Sequence, residues 1–295
     1  MKWLRSKFRS SSLPALLVII AIFIGGSLLW LFGPPEGDKY SDLGINLGVG
    51  AAIGIALLYV EQLVARTEKE RDRRIAEEQA FVQSLVVATD LTGVNAKGRS
   101  FAGILLSSKN LSGGDLQLAH LDRTDFRGSD LSRANMTGSR GEGLNLHGTT
   151  IDQISAREVH WPGANLSRAA GVEADFTGAV MPDSSFTGAR LPRAVLDFAR
   201  LDRTNLQHAD LSGSQAVSPS FERADLRAAT LRGVRMQEAS FREADMRAAD
   251  LREATLNEPD LRGADLRDAR VDGLTLRDPL TDDRTRLPPL PDRLA

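Results

Sequence analysis

Three groups of side chains in this sequence have types and spacings that can do chemistry. Four histidines, His120, His147, His160 and His208, are the residues best suited to hold a zinc ion. Thirty-nine aspartates and glutamates stand against 37 lysines and arginines, and carboxylates become catalytic acids where a cleft perturbs their pKa. The third group is a regular alternation of charge. Asp225, Asp245 and Asp265 each stand two residues before Arg227, Arg247 and Arg267, and both sets recur every 20 residues. A row of guanidiniums at a fixed interval can receive an acidic or phosphorylated partner. The same six side chains can equally satisfy one another, each surface pair contributing about 0–1 kcal/mol.

Several chemistries are excluded at once. The chain has no cysteine, so disulfides, thiolate nucleophiles and cysteine-ligated metals are absent. No glycine-rich phosphate loop follows a strand and opens a helix. The net charge of -2 gives no large field to steer nucleic acid or an acidic ligand.

What positions the charged groups is a five-residue rhythm. Of the 38 positions taken every fifth residue from Leu91 to Leu276, 33 hold Leu, Ile, Val, Met, Phe or Trp; the exceptions are Ala96, Gly141, Ala156, Gly171 and Ala216. Two places before each lies a second column, and between Ala119 and Ala269 it is Ala, Ser, Thr or Val at 27 of 31 positions. On an α-helix a period of five scatters the large residues around the axis, and on a flat strand an odd period alternates faces. A chain that turns a corner every five residues keeps one large and one small residue inward and leaves three facing water. Stacked coils of such a chain pair through backbone hydrogen bonds about 4.8 Å apart.

The segments Ala224-Asp225-Leu226-Arg227, Ala244-Asp245-Met246-Arg247 and Ala264-Asp265-Leu266-Arg267 match the A(D/N)LXX signature, and the chain resembles the pentapeptide repeat family over about two-thirds of its length. The resemblance implies an all-β solenoid, a right-handed quadrilateral β-helix with four repeats per coil, over residues 89–276. It also implies that the tail Leu280–Pro288 is a closing segment within residues 277–295. On that frame Phe221 stacks on Phe241, with Leu201 and Leu261 beyond them, and Leu226, Met246 and Leu266 are core. Gly141, one coil from Trp161, makes room for the indole. His120 and His160 fall in one outward column but two coils apart, roughly 10 Å, too far to share a metal. The inner large column is apolar throughout, so no cofactor is expected and an enzyme is not.

The N-terminal region reads differently. Residues 13–33 and 43–60 carry no charge and are long enough to be read as two transmembrane helices joined by an external loop at 34–42. The first run is too long, and lacks the small-residue cleavage site, for a signal peptide. Lys2, Arg5, Lys7 and Arg9 lie before the pair, in a basic segment at residues 1–12. Arg66, Lys69, Arg71, Arg73 and Arg74 lie after it. By the positive-inside rule both ends are cytoplasmic. The reading is an integral inner-membrane protein of bacterial type with two spans, in lipid contact through residues 13–60. Gly44, Gly48, Gly50 and Gly54 offer small-residue faces for close packing of the two helices or for a homodimer. Residues 61–88 form a charged helical connector, with Glu70 and Arg74 paired at i,i+4, ending in an apolar cap.

The functional expectation is a membrane-anchored, non-enzymatic scaffold that presents the β-helix to an unidentified protein partner. Two alternatives follow, one from the resemblance and one from the spans. Some pentapeptide repeat proteins mimic duplex DNA and bind gyrase. Against that, residues 90–276 carry 26 acids and 23 Lys and Arg, far from the negative potential of DNA, and nucleic acid itself is no expected partner. The other alternative is an accessory subunit of a membrane transporter or channel, although neither run carries a charged residue to mark an ion path. A further surface candidate lies in the middle coils, where Pro162, Pro182, Val172, Val180, Val195 and Phe198 face outward but on different sides.

Overall fold

The computed structural model describes Ile24 and residues 38–288, and for residues 38–49, 51 and 52 the backbone alone. The chain divides into two compact units, Met1–Phe81 and Val82–Ala295. One helix, α1 (Asp38–Val87), begins in the first and ends in the second. It contains no proline and is rich in helix formers after Glu61, and Arg73 pairs with Glu77 one turn on at 2.7 Å.

Two expectations are corrected here. No two-helix transmembrane hairpin is found among the described residues, and the inner-membrane localisation with two spans falls with it. Among the described residues there is one long helix, not a pair, and none is long and apolar enough to cross a membrane. After Val60 helix α1 continues directly into Glu61 and the charged run beyond it. Residues 38–42, expected in a loop, are already helical. The run 13–33 lies outside the described residues apart from Ile24. An alanine methyl at Gly50 would meet nothing within 4 Å among the described residues; Gly44 and Gly48 lie where only backbone is described.

The repeat region is a four-sided parallel solenoid. Asp90 bridges Asn110, Asn95 bridges Asp115, Ser100 bridges His120 and Leu105 bridges Asp125, all parallel. Four columns 20 residues deep therefore define one coil, and the register continues down the chain. On one side the bridges widen into a four-stranded sheet of β1 (Gln215–Val217), β2 (Arg235–Gln237), β3 (Thr255–Asn257) and β4 (Thr275–Arg277), in that order.

Backbone bonding explains why five residues suffice per side. The inward Leu91 donates its N–H to the Asn110 carbonyl one coil on, at 2.7 Å, and Asn110 donates to Thr89 one coil back, at 3.0 Å. The corner closes when Val94 N–H reaches the Leu91 carbonyl at 3.0 Å. This is a β-turn whose third residue has positive φ, the type II arrangement. Every such third residue from Gly93 to Asp278 is left-handed, fifteen of them glycine and twenty-three not. No Val, Ile or Thr occupies any of these positions, as expected where a branched β-carbon is most costly.

Inside, the large column and the small column are both buried from Leu106 to Leu274, with Leu226 and Met246 wholly covered and Leu266 nearly so. Hydroxyls in the small column are satisfied by backbone: Thr124 Oγ1 donates to the Phe101 carbonyl at 2.9 Å and Ser129 Oγ to Leu106 at 2.6 Å. Trp161 is buried, and its indole N–H donates to Ser139 Oγ, one coil back, at 3.1 Å. The atoms nearest a methyl at Gly141 belong to Leu121 on the other side, its Cβ at 3.0 Å and its carbonyl O at 3.1 Å. The glycine thus answers to the preceding coil.

The two ends close differently. At the N-terminal end Leu85 is buried, and Lys109 occupies a small-column position with only 9% exposure. Its ammonium donates to the Val86 carbonyl at 2.9 Å and also to the Ala88 carbonyl. These are the unfilled acceptors at a helix C-terminus, where a cation is favoured. Lys109→Met keeps the stem and removes the donor. It should cost about 1.5–3 kcal/mol as a charged hydrogen-bond loss, seen as faster amide exchange across residues 84–90 with residues 141–200 unaffected.

Candidate functional site

The six ladder residues lie in adjacent outward columns, Asp225, Asp245 and Asp265 bridged one above another. Each arginine folds back on the aspartate of its own repeat. Arg227 reaches Asp225 through Nε at 2.9 Å and NH2 at 2.6 Å, Arg247 reaches Asp245 at 2.8 and 2.6 Å, and Arg267 reaches Asp265 at 2.9 and 2.7 Å. The same Asp Oδ1 accepts the arginine's backbone N–H at 3.2 Å in all three, an Asx-type turn that fixes the corner. Contacts between coils are longer: Arg227 to Asp245 is 3.6 Å and Arg286 to Asp265 is 3.8 Å.

The device is general to the fold. Asp125 with Arg127, Asp250 with Arg252 and Asp260 with Arg262 make the same fork, the last two pairs on other sides of the solenoid. The hydrogen bond from Arg247 holds the Asp245 carboxyl below the usual carboxylate range in spite of partial burial. At Asp225 burial pushes upward and is outweighed by hydrogen bonds from Arg227 and Gln207. These carboxylates are ionised and bonded, the opposite of a general acid's environment.

The histidines come no closer to chemistry. His120 and His160 are exposed and bridge Arg140 from either side, so a guanidinium-bearing coil separates them. Among the described residues no group of three or more His, Asp or Glu can hold a metal ion. An open groove of about 530 Å³ runs along a corner beside Thr92, Ser132, Arg133, Asp152 and Gln153. There Arg133, Gln153, Glu173 and Arg193 bond one another in series down the stack. Of the outward apolar residues in the middle coils, Phe198 is 60% exposed, while Val172, Val180 and Val195 are half-buried.

Sequence reasoning missed Lys109 and the anchoring role of Asp282. The first breaks the small column, and the second breaks the register. Leu280 still bridges Asp260, but Asp265 bridges Arg286, 21 residues on, so one residue is inserted within 281–285. Asp282 Oδ1 uses that slack to accept Gly263 N–H at 2.8 Å and Thr285 Oγ1 at 2.9 Å. Burial raises its pKa, but these bonds, with those from Arg284, bring it to about 2. A depressed carboxylate stabilises the fold above its unfolded pKa of about 3.9 and loses that contribution as pH falls through the folded value. Protection of the closing segment 280–288 against amide exchange, corrected for intrinsic rate, should therefore fall between pH 4 and pH 2. Asp282→Asn should show low protection at both.

A β-helical solenoid with an apolar, filled interior and a surface of mutually paired charges is the class this geometry defines. The chain belongs to the pentapeptide repeat family: eight copies of the pentapeptide repeats match, over residues 106–140, 119–155, 152–188, 183–214, 220–257 and 244–278. Among solved structures it is similar in fold to HetL, a pentapeptide repeat protein involved in heterocyst differentiation regulation from the cyanobacterium Nostoc sp. strain PCC 7120. The identity is 24%, covering 70% of this chain and 92% of that one, with a TM-score of 0.52. It also matches QnrB1, a plasmid-mediated fluoroquinolone resistance protein, at 17% identity over 66% of this chain and 91% of that one, TM-score 0.38. No curated protein matches it.

Proposed function

We propose that this chain is a non-enzymatic scaffold whose β-helix presents outward side chains on a rigid 20-residue grid to a protein partner. The observation that carries the reading is the ladder geometry. Backbone pairing fixes the columns, and each arginine is pre-ordered on its own aspartate while keeping 41–50% of its side chain exposed. Such side chains lose little rotamer entropy when a partner arrives. In this reading Arg227, Arg247 and Arg267, with Asp225, Asp245 and Asp265, are the candidate contact stripe. The gyrase-binding, DNA-mimic alternative is weaker because the acids it needs are neutralised in place. The transporter-subunit alternative falls with the membrane hairpin.

The test places a photo-crosslinking residue in turn at outward positions on each side and recovers adducts from cells. A scaffold gives one protein, captured reproducibly from adjacent positions of one side and lost on Arg247→Glu if the stripe is the dock. Capture without positional dependence would sink the reading, and gyrase subunits would favour the DNA-mimic alternative.

A further inference from the structure

Most guanidiniums on this solenoid already hold a carboxylate, and the exceptions mark where a partner's charge can be received. Arg168 and Arg190 are exposed, and their side chains take part in no ion pair or hydrogen bond among the described residues. Every ladder arginine, by contrast, is forked onto its own aspartate. The two stand on the side bounded by the left-handed corners at Arg168 and Glu173, whose central column bridges Thr150, Ala170, Arg190 and Asp210 in turn. Arg168 and Ala170 lie on one coil, Gly188 and Arg190 on the next. The arginines therefore hold one diagonal of a quadrilateral and two small residues the other. Gly188 gives the Arg168 stem its path: a β-carbon there would sit 4.0 Å from Arg168 Cγ, so the stem leans toward the coil of Arg190.

The acids nearby are engaged elsewhere. Glu173 is shared between Arg193 at 3.2 Å and Gln153 at 3.1 Å. Asp210, one coil beyond Arg190, accepts the Ser212 backbone N–H at 2.9 Å. Three arginines against these two acids leave the face net positive, while on the ladder face Asp268 adds an acid to three matched pairs. Arg123 and Arg140 also lack an ion pair, but Asp122 and Glu142 are interleaved with them. The repeat itself breaks at the Arg168–Arg190 level. Ala170 is the one residue without a polar side chain in its outward column from Asp90 to Arg270, and Gly171 the one residue without a side chain in the inward column from Leu91 to Val271. With Val172 and Pro192, both half-buried, Ala170 makes a low apolar floor beside the two guanidiniums.

We infer that this face receives an acidic, extended segment of a protein partner, two of whose carboxylates, two residues apart, are held by Arg168 and Arg190. One coil step of about 4.8 Å and two residues along the chain at about 3.3 Å each put the two α-carbons roughly 8 Å apart. Alternate side chains of an extended segment leave one face about 7 Å apart, and the arginine stems take up the difference. A guanidinium without an internal partner offers its whole fork to a carboxylate, and the low floor at Ala170 leaves room for the segment's backbone. A nucleic acid would present phosphates all along the solenoid, where acids elsewhere on its surface oppose them. The inference rests on the scaffold reading for there being a partner. It adds what that partner presents, and it places the acid contact on a different side from the ladder.

The full chain is titrated into a fluorescein-labelled decapeptide of alternating glutamate and serine at low salt, with anisotropy as the readout. Saturable binding is expected, falling as salt is raised and weakened at least about tenfold by Arg168→Glu and by Arg190→Glu. Arg247→Glu, on the ladder, should change it far less. The double reversal at Arg168 and Arg190 should instead bind a decapeptide of alternating lysine and serine. Both positions are exposed, and unchanged circular dichroism checks that the fold survives. No binding at millimolar peptide, an equal loss with Arg247→Glu, or displacement of the peptide by a short DNA duplex would each overturn the inference. Positional capture of a partner in cells that persists unchanged in the double reversal would overturn it and leave the scaffold reading standing. Peptide binding as expected, with no positional capture, would sink the scaffold reading alone.

Discussion

Replacing Gly171 with leucine, the residue type the repeat favours in that column, is expected to destabilise the β-helix by about 3 kcal/mol or more, at or beyond the top of the usual overpacking range. The reason is backbone approach. A β-carbon at Gly171 would sit 2.5 Å from the Ile151 carbonyl oxygen, 2.8 Å from its carbonyl carbon and 2.6 Å from its Cγ1. The φ of Gly171 is not left-handed, so the requirement is space and not conformation. Ile151, one coil back in the same column, already fills the volume a leucine would take, while the ladder bonds Ile151 N to Ala170 O and Gly171 N to Arg190 O stay at 2.7 and 2.8 Å. Even alanine must move backbone. Gly141→Ala provides the contrast, because its contacts begin at 3.0 Å and a few tenths of an ångström relieve them. Urea denaturation should rank Gly171→Leu below Gly171→Ala, and both below Gly141→Ala. Adding Ile151→Ala to Gly171→Ala should recover little, since it removes Cγ1 but leaves the carbonyl. Recovery to near the parent stability would show that side-chain crowding, and not the backbone, was the obstacle.

Gly171 and Gly141 also mark how much of this molecule can be read before it is seen. The five-residue period places the inward columns because only one geometry buries a large and a small residue every five positions, and Phe221 against Phe241 follows from it. The exceptions in the column are visible in the sequence, yet their causes are not. Trp161 suggests itself as the neighbour for which Gly141 makes room, whereas Leu121 supplies the contacts. The ladder is legible as a set of residues, but whether Arg247 reaches along the stack or back to Asp245 depends on a corner whose Asx turn sets the aspartate's direction. The insertion within 281–285 and the Lys109 bonds to α1 depend on contacts from outside the period. The N-terminal region misleads for another reason. Two uncharged runs satisfy a length rule for spans, but among the described residues there is one helix, and it is not long and apolar enough to cross a membrane.

Phe241→Ala is the second large effect, and its consequence is more telling than its size. Phe221 and Phe241 are wholly buried, one coil apart, with ring centroids 5.2 Å apart and planes within 5°. Removing either ring should cost about 3–5 kcal/mol as a large-to-alanine change in a core, with about 0.5–1.5 kcal/mol of that belonging to the ring pair. The double alanine variant should therefore fall short of the sum of the singles by about that coupling. In a globular core such a loss is shared by everything, but in a solenoid each coil touches only its neighbours, so stability is close to a sum of coil and interface terms. The loss at Phe241 falls on the interfaces to the coils above and below it, near the C-terminal end, where few coils remain to hold the register. Amide exchange across residues 241–288 should accelerate by orders of magnitude while residues 111–170 keep the parent's protection. Leu231→Ala, buried in the coil between but without a ring partner, should open the same segment less. Uniform acceleration along the whole β-helix would mean that it unfolds as one cooperative block, and that the nearest-neighbour description fails for this chain.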